Sequence, residues 1–434
     1  MGTATKQRRP LWSFPWAYRE GFVVSFGLLV TGFMLEGISA NTSTDFALRW
    51  PTNLFVGLGF TAFVALVYFR WRKNPIIKWL SGVPAAITST ALMGILVVIL
   101  GILPQGVPAE EGGLVARFGL NQMTTSWPFL FAMGFFMLTL GFASLKRIYP
   151  VRKNNFGYLL NHLGLWITLL AAMLGSGDLI RLTMDLYEGK PEWRATDIEG
   201  NMYEMPLALK LEDFNIEQYR PKVAIVDNKD GKLRPSGAPH MVLIEHEGIE
   251  GKLLDNTVKV LKYLPSAKRV GDRYERVNEV GAGPAALVSI TGPDGKASEA
   301  WISCGSFMMM PEAMTLSDEY SVVMTAPEPK KFSSELKIMT PDGKETEATV
   351  EVNSPYAIDG WKLYQLSYNS QMGKWSNLSV VELVRDPWLP VVYFGVFMMI
   401  FGSLYILWVG KGIGEKVGNA VKKAVDKPLE KEAA

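Results

Sequence analysis

Over its first 180 residues the chain alternates long apolar runs with short basic stretches, and a different pattern follows. Residues 21–39, 53–69, 79–104, 127–145 and 156–177 are almost free of charge, and one more such run covers 387–410. Each is long enough to cross a hydrocarbon core as a helix, which takes about 20 residues. The third run is long, and its helix is expected from about Ala85. Between 181 and 386 the apolar residues shorten into strand-like runs such as VAIVD, AALVSIT, ELKIMT, WKLYQLSY and LSVVELV. Three Asp-Gly-Lys turns, at Asp230, Asp294 and Asp342, each follow such a run. Asp-Gly between β-rich runs marks a hairpin, because a primed turn needs positive φ.

This pattern predicts a membrane protein, a six-helix transmembrane region with a large mostly-β extracytoplasmic domain inserted before the last span. The expected divisions are an N-terminal arm at 1–20, five spans within 21–180, a β-rich domain of one or two lobes at 181–386, a sixth span at 387–410 and a basic tail at 411–434. The tail reads as a weak interfacial helix or as disorder. Residues 105–126, with Glu110 and Glu111, read as a loop, and Glu36 blurs the end of the first span.

Charge then sets an orientation. Basic clusters fall before the first span (Lys6, Arg8, Arg9, Arg19), after the second (Arg70, Arg72, Lys73, Lys78), after the fourth (Lys146, Arg147, Arg152, Lys153) and after the sixth (Lys411, Lys416, Lys422, Lys423). With six spans all four lie on one side, so the positive-inside rule places both termini in the cytoplasm and residues 181–386 outside. The first span is too long, and lacks the cleavage pattern, for a removable signal peptide.

The fifth span carries the most informative residue. From Phe156 to Gly177 there are 22 residues without Asp, Glu, Lys or Arg, yet His162 sits six residues in. That is about 9 Å below the start of the span. Ionisable groups at such depth are costly and mark a bundle interior, a proton relay or a cofactor. Trp166, Leu169 and Met173 follow on the same helix face. A neutral imidazole bonded to a neighbouring helix is the plainer account. Met137, Met398 and Met399 also lie in spans, where packing is the usual role of methionine.

Other candidates are weaker. His240 and His246 would share a face of an ideal strand but lack a third metal ligand. Cys304 is the sole cysteine, which excludes an intrachain disulfide and a multi-cysteine metal site. It reads as a small buried residue more readily than as a redox thiol. The glycine runs at 281–286 and 410–414 lack the strand-to-helix setting of a dinucleotide site, and no Walker, HExxH or GxSxG motif occurs. A formal charge of +2 gives no reason to expect nucleic-acid binding.

Several stretches together resemble the ResB/CcsB-type cytochrome c biogenesis proteins, the haem-handling half of the system II machinery. They are NHLGLWITLLAAMLGSGD at 161–178, EWRATD at 192–197, WISCGSF at 301–307, VNSPYAIDGWKLYQLSY at 352–368 and VELVRDPWLPVVYFGVFMMIFG at 381–402. The resemblance covers roughly residues 145–410, and the first two spans are an addition to the usual four-span layout. It implies a multi-pass protein of a bacterial cytoplasmic membrane, with no nucleic-acid partner. Such proteins act with a CcsA-type membrane protein to carry haem b across the bilayer for attachment to an apocytochrome c, as part of a haem-lyase complex. The tryptophan-rich haem-binding segment and the outer histidine ligands belong to the partner. The resemblance further implies that His162 is one axial ligand to haem iron, with Trp166 as a possible haem contact and the second ligand from the partner. An alternative is a quinol-linked redox subunit that keeps its haem. That would need a second intramembrane ligand, and His162 is the only histidine in any predicted span. A membrane-anchored receptor is a third, and leaves His162 without a task.

Overall fold

The structure, a computed structural model, describes residues 10–39, 48–106, 109–149 and 155–425, with the side chains of 109–112 and 410–425 left aside. Lys6, Arg8, Arg9, Arg152, Lys153 and the tail beyond Val425 lie outside the described residues. The chain divides into a helical unit, residues 1–179 with 386–434, and a β unit, Ile180–Arg385.

In the helical unit, six helices are long and apolar enough to cross a membrane. They are α1 (Tyr18–Ile38), α2 (Thr52–Trp71), α4 (Val83–Ile102), α6 (Trp127–Ile148), α7 (Phe156–Gly175) and α8 (Leu389–Val425), with short α3 (Pro75–Leu80) and α5 (Ala109–Arg117) between them. The third span, expected from about Ala85, is the single helix α4, and the short α3 precedes it. Asn74 caps α3 by accepting from the Ile76 N–H, and Pro84 opens α4, as proline does where the N–H has no intrahelical partner. The stretch read as a loop, 105–126, contains α5 and a 3₁₀ turn over Leu120–Thr125. The tail continues α8 as helix to Val425.

Helix α6 packs against α1, α2, α4 and α7. Its Met133, Met137 and Leu140 share one core with Val64, Tyr68, Leu92, Leu96 and Trp166. Ser89 and Thr139 bond across α4 and α6 at 2.8 Å, an exchange that apolar surroundings favour. Glu36, which blurred the end of the first span, accepts the Trp127 N–H at 2.9 Å. It thereby satisfies a free donor at the start of α6, where the helix dipole favours an anion.

Helices α7 and α8 meet through glycine. A Cβ at Gly164 would come within 2.6 Å of the Gly395 carbonyl oxygen, and one at Gly395 within 2.6 Å of that of Gly164. Gly157 and Gly402 repeat the close approach about two turns away, and Ser403 Oγ donates to Asn161 Oδ1 at 3.0 Å. Small residues let helices approach this closely in lipid, where hydrophobicity supplies no drive to associate.

The β unit is antiparallel in its strand ladders and has two lobes. One is an eight-stranded sheet whose order begins β14 (Glu345–Glu351), β13 (Pro329–Met339), β3 (Met202–Gln218), β2 (Pro191–Thr196) and continues β1 (Ile180–Tyr187), β17 (Leu378–Arg385), β16 (Trp361–Tyr368), β15 (Tyr356–Ile358). Strands β1 and β17, the first and last of the unit, pair from Ile180↔Arg385 to Tyr187↔Leu378. Alternate residues, such as Leu182, Met184 and Leu186 on β1 and Val381 and Leu383 on β17, form its core. A buried chain of Ser334, Gln365 and Ser379 bonds across β13, β16 and β17, so these polar groups are matched as burial requires.

The second lobe packs a four-stranded sheet against a five-stranded one. The first holds β11 (Met314–Thr315), β12 (Tyr320–Met324), β4 (Lys222–Asp227) and β5 (Met241–Leu243). The second holds β6 (Glu250–Leu253), β7 (Asn256–Val270), β8 (Arg273–Arg276), β9 (Gly283–Thr291) and β10 (Ala297–Ser303). Val223, Ile225, Val258, Val260, Val288 and Ile302 fill the space between them. Asp294-Gly295 joins β9 to β10 and Asp342-Gly343 joins β13 to β14 as hairpins, with φ of 73° and 79° at the glycines. The turn at Asp230 differs. After it the chain makes a single bridge, Val226↔Leu233, before a longer excursion to β5. Arg234 holds that excursion by pairing with Asp227 and Asp230, each at 2.9 Å.

Candidate functional site around His162

His162 lies in the second turn of α7, half-buried. Its Nδ1 is 3.0 Å from the Tyr158 carbonyl oxygen. A carbonyl can only accept, so Nδ1 carries the proton and the lone pair sits on Nε2. Among the described residues Nε2 has no hydrogen-bond partner. Tyr158 also stacks on the imidazole, ring centroids 3.6 Å apart, and the Arg147 guanidinium lies 4.7 Å from the centre of the same tyrosine ring. A metal-binding histidine needs this kind of support, one nitrogen bonded to a fixed acceptor so that the other faces the metal.

Trp166, one turn on, is 7% exposed, and its ring stacks on Phe60 at 5.6 Å and 1°. The close face of α6 at Gly141, where a Cβ would meet the Trp166 ring at 2.7 Å, completes its enclosure. Leu169 and Met173 join the same core. Met398 and Met399 face α7 at Gly164. Gly164 is two residues past His162 and so about 200° round the helix, so Met398 and Met399 meet α7 on the face opposite His162. Met137 is buried in the α6 core.

One cluster escaped the sequence. Asp178, just past α7, accepts from the Trp50 N–H at 2.8 Å, from Asn53 Nδ2 at 2.7 Å and from Trp388 Nε1 at 2.7 Å. A single carboxylate thereby ties the starts of α2 and α8 to the end of α7. Asn53 is fully buried and also donates to the Leu174 carbonyl. The only signal in the sequence was an aspartate closing an apolar run, with a tryptophan opening the next.

The remaining candidates separate. His240 and His246 both flank the three-residue β5, so strand alternation does not bring them to one face. Both are exposed. Among the described residues no three His, Cys, Asp or Glu side chains group in a way that could hold a metal ion. Cys304 follows β10, half-buried against the core of the second lobe. Burial pushes its thiol from 9.0 up to about 11. Because the folded value is raised, the protonated thiol's contribution to stability is whole below 9.0 and is lost as pH rises towards 11. Alkylation by iodoacetamide should therefore be slow near neutral pH in the folded chain and fast after denaturation, since the thiolate is the nucleophile. Equal rates in the two states would show that the thiol is not shielded.

The helices and the inserted sheets define the class, a multi-pass membrane protein carrying a two-lobed β domain ahead of its last span. Within that domain, residues 309–381 match the model of the ResB-like family. The matched segment runs from the loop after β10 into β17 and does not include His162. No curated protein matches the chain.

Proposed function

We propose that this chain is a haem-handling component of cytochrome c biogenesis, the process with which the ResB-like family is associated. In this reading it lies in a bacterial cytoplasmic membrane with both termini inside and the β domain outside. With a CcsA-type partner it carries haem b across the bilayer and supports its attachment to an apocytochrome c, the attachment site lying mostly in the partner. The observation that carries the reading is the imidazole of His162. Its Nδ1–H is held by the Tyr158 carbonyl at 3.0 Å, which leaves Nε2 as a ligand within a span. Arg147, over the ring of Tyr158, supplies positive charge at the same end of α7, where the carboxylates of a haem would need it. His162 is the one histidine among the six span helices, so the second axial ligand comes from the partner.

The test is purification with and without co-expressed membrane partners. A low-spin haem spectrum should appear in the complex and be absent from this chain alone. Stable haem in the lone chain would favour a resident redox subunit, and no haem in any complex would end the proposal. Orientation is tested separately on a Cys304→Ser background. Thiols placed at Asp230 or Asp342 should react with an impermeant reagent added outside, and one at Lys73 should not. Outside labelling at Lys73 would reverse the topology.

A further inference from the structure

The β domain holds a cleft of ≈ 440 Å³ where the end of β3 meets β7, β8, β9 and the turn that carries Lys374. That volume is within the range of small-molecule sites. Three cations line it, Arg220, Arg276 and Lys374. Elsewhere in the domain Arg194, Arg234, Arg269 and Arg273 pair with carboxylates, while among the described residues Arg181 and Arg385 do not. Among the described residues none of the three cleft cations is in a salt bridge. Arg220 donates to the carbonyls of Ile244 and Glu245, and Lys374 Nζ to that of Pro265 at 3.4 Å. The one acidic side chain in the lining, Glu247, is engaged by the Tyr263 N–H at 3.1 Å. Lys374 is half-buried over the Trp375 ring, 4.8 Å from its centre, and burial lowers its affinity for a proton. Three cations against one carboxylate leave the lining with net positive charge, which favours an anionic ligand.

Rigid rings also line the cleft, those of Tyr219, Tyr263, Pro265, Pro284 and Pro327. Such faces cover a planar apolar body at little entropic cost, since these side chains have few rotamers to lose. We propose that this cleft binds an organic anion with a flat apolar body and carboxylate groups. The carboxylates meet Arg220, Arg276 and Lys374, and the body lies against the tyrosine and proline faces. The site is separate from His162 and does not depend on it.

The probe is metal-free protoporphyrin IX, which has two carboxylates, a flat apolar body and no iron for an imidazole to ligate. Its fluorescence is titrated with the full chain in detergent micelles, with the dimethyl ester as the uncharged comparison. Saturable binding of the acid is expected in the wild type and equally in His162→Ala. It should weaken about tenfold in Arg276→Glu, the loss of one charge-assisted bond, and further in a combined Arg220→Ala, Lys374→Ala variant. Arg276 is exposed, so its replacement leaves the fold intact, which unchanged circular dichroism would verify. Equal binding of the ester, or undiminished binding in Arg276→Glu, would overturn the proposal. So would a cleft that takes an acidic peptide and ignores the porphyrin. Loss of haem in His162→Ala with intact porphyrin binding would bear on the haem reading alone.

Discussion

On the proposed function, replacing His162 by glycine should abolish haem in a complex with a CcsA-type partner, and c-type cytochrome maturation with it. The imidazole is the one nitrogen ligand that the spans of this chain can offer. Its orientation is set by the Tyr158 carbonyl and by the stacked tyrosine ring. The methionines nearest in sequence position along α8 face the other side of α7. Folding should change little, because the half-buried ring contributes only about 1 kcal/mol of burial. Added imidazole is small enough to enter the vacated space and should restore part of the bound haem. The measurements are the reduced-minus-oxidised spectrum of the purified complex and the level of mature c-type cytochromes. Wild-type haem and maturation in His162→Gly would make the histidine a packing residue and remove the basis of the proposed function.

Asp178→Ala should cost about 2–4 kcal/mol of stability, the range for losing charge-assisted bonds that leave a buried donor unmatched. The carboxylate accepts three donors from two distant parts of the chain. Without it the Nδ2 of Asn53, fully buried, keeps only its bond to the Leu174 carbonyl, and Trp388 loses the anchor that seats it over Gly175, where a Cβ would come within 2.6 Å of it. Asp178→Asn should fall between, since an amide retains one acceptor oxygen but turns an N–H₂ towards groups that are themselves donors. Thermal unfolding in micelles, followed by circular dichroism, measures the order wild type, Asn, Ala. The exposed turn variant Asp342→Ala serves as the comparison. If Asp178→Ala melts with Asp342→Ala, the carboxylate does not hold the three helix ends.

The sequence by itself determined where the chain enters lipid and where it becomes sheet. A run such as 156–177 has no charge to solvate, and the backbone in lipid must satisfy its own hydrogen bonds, so a helix follows from composition alone. Alternation in LSVVELV and an Asp-Gly turn after AALVSIT likewise act over a few residues, and β17 and the β9–β10 hairpin follow. His162 was legible because one imidazole in an uncharged run stands out without any knowledge of its neighbours.

What only the tertiary structure decided depends on partners far apart in the chain. The Asp230 turn has the same Asp-Gly-Lys letters as the other two, yet Arg234, with Asp227 and Asp230, holds the chain after it away from a hairpin. Helix α5 was hidden because its glycines and glutamates carry no apolar run. The pairing of β1 with β17 closes about 200 residues, and no local pattern specifies which strand will lie beside which. Asp178 found donors 125 and 210 residues away, and the three cleft cations come from separate elements of the β unit. Hydrophobic periodicity reports how one segment meets solvent or lipid. It carries no record of which polar groups will be brought within 3 Å once those segments pack.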